Sequence, residues 1–254
     1  MSEWPGGVGR EVHAEIDSTN AEALRRGKAG DRNPAWILAA RQTAGRGRRG
    51  RSWHQDQGNF AASLYTLVDG DATSAAQRSF VAALALFDAL VDVTGRPELF
   101  ALKWPNDVLL SGGKLAGILL ESETVPGRGG IALAVGIGVN LRSAPEAESL
   151  GADATRPVSL AGTVGAAPTP EEFLDLLAPA FAHWDARLTR EGFKPIRAAW
   201  LARAARIGEP IVARLPDREI SGLFETIDAE GALVLAAPEG RITLRAADVF
   251  FVPG

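Results

Sequence analysis

The sequence contains no cysteine. Disulfide scaffolds, thiolate zinc sites and cysteine nucleophiles are excluded together. Histidine is scarce: His13, His54 and His183 stand far apart, without metal-ligand spacing, and each reads as a surface or helix residue. No apolar stretch approaches the roughly 20 residues that a membrane helix needs. The longest apolar-looking run is Ile131 to Val139. The first ten residues are rich in Gly and Pro and lack an apolar centre, so no secretory signal is expected. Internal repeats and low-complexity tracts are also missing. These absences predict a soluble, cytoplasmic chain.

What is present is ordinary in bulk. Of 254 residues, 46% are apolar and 23% charged, enough for a sizeable core. The length suggests one large domain and a small one. The formal charge is −4, which does not suggest a nucleic-acid binder. That charge is unevenly spread. Residues 207–254 hold eight acids and four bases, leaving 23 of each elsewhere.

The pattern predicts a helix after Asp17-Ser18-Thr19-Asn20, with Thr19 and Glu22 as a capping box and Gly27 or Gly30 as its end. Strands are expected at 36–40 and 59–68, and a long helix over 74–94 stopping at Gly95. Four strands follow at 99–104, 108–110, 115–121 and 131–140. Turns are expected at Gly112-Gly113 and at Gly127 to Gly130. Residues 142–168 read as loop. Thr169-Pro170-Glu171-Glu172 opens another helix, with Pro179 expected to kink it. From Ile207 five short strands predict a small β-barrel. The boundaries drawn are 1–206 and 207–254, and the fold class is α/β (α+β), a mixed sheet with flanking helices plus the barrel.

Four segments stand out chemically. Residues 41–51 carry five Arg, with no acid until Asp56. Arginine forks suit phosphate and carboxylate oxygens, and interspersed glycines let backbone N–H groups approach an anion. The plain alternative is a solvated basic loop. Gly45 to Gly50 also matches G-x-G-x-x-G, but Arg51 to Gly58 has no apolar helical face, which argues against a dinucleotide fold. Lys103-Trp104-Pro105-Asn106-Asp107 is a turn whose Asn can read an adenine edge and whose Asp can meet a cation or basic neighbour. Gly113 to Glu121 offers Lys114 at the start of a strand with small residues beside it. A lone strand-edge Lys is also a common guard against aggregation. Gly136-Ile137-Gly138-Val139-Asn140 suggests close approach of a ligand to a strand, or else a bulge.

In order, these segments resemble the biotin–protein ligases. The resemblance rests on Ser18-Thr19-Asn20, on the loop from Gln42 through Gly45-Arg46-Gly47-Arg48-Arg49-Gly50-Arg51 to Trp53, and on Lys103 to Asp107. Lys114 to Glu121 and Gly136 to Asn140 complete it. The C-terminal strands resemble the family's SH3-like tail. The family's catalytic domain is like that of class II aminoacyl-tRNA synthetases. Some members carry an N-terminal DNA-binding domain. Only 17 residues precede Ser18, so the resemblance is to the monofunctional class and no DNA binding is implied.

The resemblance implies a two-step reaction. Biotin and Mg·ATP give biotinyl-5′-AMP, and the biotinyl group passes to a lysine of the biotin carboxyl carrier domain of acetyl-CoA or a related carboxylase. Lys114 and Arg48 are the implied catalytic residues. Ser18, Thr19, Asn20, Gln42, Arg46, Gly47, Arg48 and Lys114 are implied for biotin, and Arg48, Arg51, Trp53, Lys103, Asn106 and Asn140 for ATP and the adenylate. No resident metal, prosthetic group or membrane partner is implied, and a homodimer stays open. Two rivals remain. A lipoate-type ligase shares the chemistry but has an Arg-Arg-x-Ser-Gly-Gly-Gly loop, which is missing here. A nucleic-acid module would use the Arg cluster, but only Trp53 supplies an aromatic beside it.

Overall fold

The computed structural model describes residues 3–124, 130–146 and 155–251. A first strand, β1 (Gly9–His13), leads through helix α1 (Thr19–Lys28) to β2 (Ala35–Ala39), which pairs with β1 in parallel. The strands β3 (Phe60–Val68), β4 (Phe100–Lys103), β5 (Asp107–Leu110), β6 (Gly113–Thr124) and β7 (Ile131–Val139) then join by antiparallel pairing. The sheet runs β1-β2-β3-β7-β6-β5-β4. It is the mixed sheet expected.

The two faces of β7 explain the layering. Leu133, Val135, Ile137 and Val139 project into the main core, whereas Ala132 and Ala134 pack with Ala23, Ile37 and Tyr65 beneath α1. Bulky side chains on one face meet the helix layer; small ones on the other leave room for α1 and, further along, for a cavity. The helix layer consists of α2 (Ala72–Ala76), α3 (Arg78–Thr94), α5 (Pro170–Glu191) and α6 (Phe193–Leu201). Gly95 ends α3 in the left-handed conformation, and Thr169 and Glu172 form the expected capping box of α5. Pro179 lies inside α5 without ending it. The stretch Ala72–Thr94 is long and apolar enough to cross a membrane by length and composition. Its apolar side chains, Phe80 to Leu90, are instead buried in the core.

A second sheet follows, made of β8 (Pro210–Arg214), β9 (Glu219–Ile227), β10 (Leu233–Ala237), β11 (Gly240–Leu244) and β12 (Asp248–Phe251). Its order is β11-β10-β9-β8-β12, all antiparallel. All five strands were legible from alternation. The small sheet is anchored to the large one. Trp104 Nε1 donates to Gly231 O at 3.0 Å, and Phe80, Trp200 and Phe224 form a continuous run of ring contacts.

Several expectations change. Ser18, not Thr19, caps α1, accepting from Ala21 N, and the helix ends at Lys28 before Gly30. Strand β1 went unread because its Gly/Pro surroundings mask it. The region read as loop contains α4 (Leu160–Val164), and α6 was also unread. The β5–β6 turn is Ser111-Gly112, both left-handed at φ 48° and 81°. Gly113 is needed for another reason: a Cβ there would lie 2.4 Å from Val158. The turn assigned to Gly127–Gly130 lies, but for its last residue, outside the described residues, as does most of 142–154.

Candidate active site

A cavity of about 440 Å³ opens where α1, the 42–54 segment, β5–β7 and the start of β12 meet. Every residue that the resemblance implies for the site lines it: Ser18, Thr19, Asn20, Gln42, Arg46, Gly47, Arg48, Arg51, Trp53, Lys103, Asn106, Lys114 and Asn140. Residues as far apart as 18 and 140 thus converge, which motif order alone could not establish.

One end is uncharged and tightly wired. Gln42 Oε1 accepts from Thr19 N at 2.9 Å and lies 3.1 Å from Thr19 Oγ1. Ser63, fully buried on β3, bridges Thr19 Oγ1 at 2.7 Å and Asn20 Oδ1 at 2.6 Å. Ser63 has one hydroxyl proton and Asn20 Oδ1 can only accept. That proton therefore goes to Asn20, and the Thr19 hydroxyl supplies the one between Thr19 and Ser63. Asn20 Nδ2 then donates to Leu119 O and to Glu121 Oε2. Such a connected, largely buried chain restrains the orientation of its side chains. Ser63 was missed; a polar residue inside the otherwise apolar β3 was its only signal.

The small face of β7 forms the floor. A Cβ on Gly136 would lie 2.2 Å from Asn20 Oδ1, and one on Gly138 would lie 2.3 Å from the Trp53 indole. Gly117, the register partner of Gly138, also faces that indole. The pairing of β7 with β3 and β6 runs without a register shift, so these glycines do not mark a bulge. They make room for Asn20 and Trp53, the protein's own side chains.

The arginine segment is a closed hairpin. Gly47 N donates to Arg51 O at 2.7 Å and Trp53 N to Gly45 O at 3.0 Å, with a short 3-10 turn at Arg48–Gly50. Four of its arginines meet carboxylates: Arg41 with Glu15, Arg46 with Glu121, and Arg49 and Arg51 both with Asp248. Arg48 differs. It is half-buried, and its Nη1 donates to the neutral Asn106 Oδ1 at 3.2 Å. Burial pulls its guanidinium pKa below the usual arginine value. A half-buried cation that directly contacts a neutral amide and faces a cavity is a ready anion site.

Two lysines complete the charged end. Lys114 Nζ lies 2.6 Å from Asp107 Oδ1. Lys103 is buried, donates to Thr155 Oγ1 at 2.8 Å, and has its ammonium pKa pushed down from 10.5 by desolvation. The two asparagines are engaged within the protein. Asn106 Nδ2 donates to Ile118 O at 2.7 Å, and Asn140 Nδ2 donates to Val158 O at 3.1 Å. Thus Asn106 holds Arg48, and Asn140 ties down residues 158–160. Thr155 and Asp248 were not singled out, and no local sequence signal marks them. His54 lines the cavity but is exposed. Among the described residues no group of three or more His, Asp or Glu could hold a metal.

The arrangement pairs an uncharged, hydrogen-bonding recess with a cationic mouth. It suits a molecule with a neutral polar head and an anionic, phosphate-bearing end.

The chain is similar to known proteins. A model described as the biotin/lipoate A/B protein ligase family matches residues 12–141, and one for the biotin protein ligase C-terminal domain matches residues 207–252. The chain is 59% identical to a biotin–[acetyl-CoA-carboxylase] ligase of Paracoccus denitrificans, covering 94% of this chain and 98% of that one. It is 33% identical to the Mycobacterium tuberculosis protein of the same name, with 94% and 87% covered. The biotin protein ligase of Aquifex aeolicus, solved in complex with biotin and ATP, matches at a TM-score of 0.77 and 25% identity over 95% of this chain and 97% of that one. Matched in both its sheets, the chain belongs to the biotin protein ligase family.

Proposed function

We propose that this chain is a biotin–[acetyl-CoA-carboxylase] ligase. It activates biotin with Mg·ATP as biotinyl-5′-AMP and delivers the biotinyl group to a lysine of a biotin carboxyl carrier domain. The observation that carries the reading is the convergence of Arg48 and Lys114 on one cavity whose far end is the Thr19–Gln42–Ser63–Asn20 network.

In this reading the ureido head of biotin enters the neutral recess beside Ser18, Thr19, Asn20 and Gln42. Its carboxylate points toward Arg46, Gly47, Arg48 and Lys114. A carboxylate oxygen attacks the α-phosphorus and pyrophosphate leaves with the broken P–O bond. Two anions must approach, so fixed positive charge at the developing centre lowers the barrier. Arg48 and Lys114 supply it, with Arg51 and Lys103 near the phosphates. Mg²⁺ arrives with ATP, because the cavity's own carboxylates, Asp107 and Asp248, are engaged by Lys114 and by Arg49 and Arg51. Trp53, Asn106 and Asn140 border the adenylate. In the second step the neutral lysine amine of the carrier attacks the acyl carbon, AMP leaves, and the amine's proton passes to solvent. Residues 1–206 form the catalytic unit and 207–254 the C-terminal domain. A reaction that draws on ATP and a carboxylase belongs in the cytoplasm.

Biotin-dependent exchange of labelled pyrophosphate into ATP tests the first step, and biotin transfer to a purified carrier domain tests the second. Exchange with lipoate but not with biotin, or none with either, would overturn the assignment.

A further inference from the structure

The arginine hairpin is held from two sides. Glu121, on the same sheet as the cavity floor, takes Arg46. The tip is held by the other sheet. Asp248, the first residue of β12, accepts from Arg49 Nη1 at 3.0 Å through Oδ2 and from Arg51 Nη2 at 3.1 Å through Oδ1. Its side chain is only 20% exposed. One carboxylate thus bridges Arg49, at the centre of the hairpin's turn, and Arg51, just after it, while Arg48, the first residue of that turn, hydrogen-bonds Asn106 instead.

Three features make this contact more than a surface ion pair. Asp248 is a fixed point, because β12 is anchored around it. Phe251 on the same strand lies against Lys103 and Arg206, with the cations 5.2 and 5.3 Å from the ring centroid. The tip needs holding, because Arg49 sits in the left-handed region at φ 56°, which costs a non-glycine residue about 1 kcal/mol. Freed from Asp248, Arg49 and Arg51 would also repel each other and Arg48 within one turn of chain.

We propose that Asp248 is a positioning residue. It fixes the tip of the arginine hairpin through Arg49 and Arg51 so that the Arg48 guanidinium stays in the cavity. The small C-terminal sheet thereby completes the reaction chamber. The consequence for catalysis rests on the ligase reading above; the latch itself does not.

The test has two arms. Amide hydrogen exchange over residues 46–53 is compared in ligand-free wild type and Asp248→Ala. Exchange there should be several-fold faster in the variant, with α1 and α3 unchanged. The dissociation rate of biotinyl-AMP is then measured for wild type, Asp248→Ala, Arg49→Ala/Arg51→Ala and the triple variant. Asp248→Ala should release adenylate about 3- to 10-fold faster, since each partly exposed pair contributes at most a factor of about five. Its effect should vanish in the Arg49→Ala/Arg51→Ala background, and Asp248→Glu should restore most of the loss. Asp248→Asn serves in both arms if the alanine variant does not fold. Unchanged exchange at 46–53 overturns the latch. Unchanged adenylate release, or an Asp248→Ala effect that persists without Arg49 and Arg51, overturns the positioning role. A wild type that makes no biotinyl-AMP refutes the ligase reading alone, because the exchange arm still judges the latch.

Discussion

Lys114 and Gly117 lie on the same face of β6, although strict alternation puts residues three apart on opposite faces. A Cβ on Gly117 would be 3.6 Å from Lys114 Nζ. The cause is a register shift in the β5–β6 pairing. Val108 opposes Ala116 and Leu109 opposes Lys114, so Leu115 is the extra residue. Leu115 and Ala116 both enter the core, and Lys114 is turned onto the cavity face beside Asp107. A β-bulge here re-aims one side chain, a recurrent device next to active sites.

Lys114→Ala should lower biotin-dependent pyrophosphate exchange by roughly 10²–10³, the usual loss for one preorganised donor of positive charge or hydrogen bonds. The fold should survive, because the side chain is a third exposed. Near-wild-type exchange by the folded variant would remove Lys114 from the chemistry.

Arg48→Gly should still form biotinyl-AMP but hold it about 10- to 100-fold more weakly. A charge-assisted hydrogen bond is worth about 1.5–3 kcal/mol, and Arg48 is the cation of the hairpin that meets an amide where its neighbours meet carboxylates. Escaped adenylate would label unrelated lysines. Equal biotin incorporation into a bystander protein, with an unchanged adenylate off-rate, would show that Arg48 does not retain the intermediate.

Gly138→Ala should dislodge Trp53, because the new methyl would sit 2.3 Å from the indole against the backbone of a central strand. The hairpin closed by Gly45 and Trp53 should open with it. Trypsin cleavage after Arg48, Arg49 or Arg51 is expected to be several-fold faster than in wild type without ligand. Biotin and ATP should slow it in wild type, since anions add partners to Arg48. Identical cleavage rates in variant and wild type would mean that Trp53 does not brace the hairpin.

The start of α1 should be sensitive to acid. Arg25 hydrogen-bonds the Asp17 carboxylate and lowers its pKa from 3.8 to about 2. A carboxyl lowered by folding stabilises the protein above its unfolded pKa, and that contribution is lost as pH falls through the folded value. The window therefore runs from near pH 4 down to about 2. Both side chains are about half exposed, so the pair is worth less than about 1 kcal/mol. Asp17→Asn should melt about 1–3 °C below wild type at pH 7. The gap should close near pH 2. A gap of the same size at both pH values would point to a cause other than the ion pair.

Much of the fold was legible because it is local. The α5 capping box, the Gly95 stop of α3 and the alternation of the five C-terminal strands depend on neighbours a few residues apart. Strand β1 and α6 escaped because Gly/Pro composition and a short apolar face give weak local signals. The motifs also picked out many of the residues that line the cavity, because the suitability of arginine, lysine and glycine for anions depends on residue type.

Sequence by itself therefore determined most of the element pattern, the family and the chemistry-bearing motifs, while their convergence on one cavity came from the fold. Tertiary structure alone decided what each residue does there. The five closely spaced arginines read as an anion cradle or a solvated basic loop, yet four of them meet Glu15, Glu121 or Asp248, brought from distant parts of the chain. Gly136 and Gly138 read as room for a ligand and instead admit Asn20 and Trp53. Lys114 faces the cavity because one bulged residue, Leu115, resets the alternation of its strand. Charge pairing, close packing and strand register are set by through-space distance between residues far apart in the chain, and only the folded backbone fixes those distances.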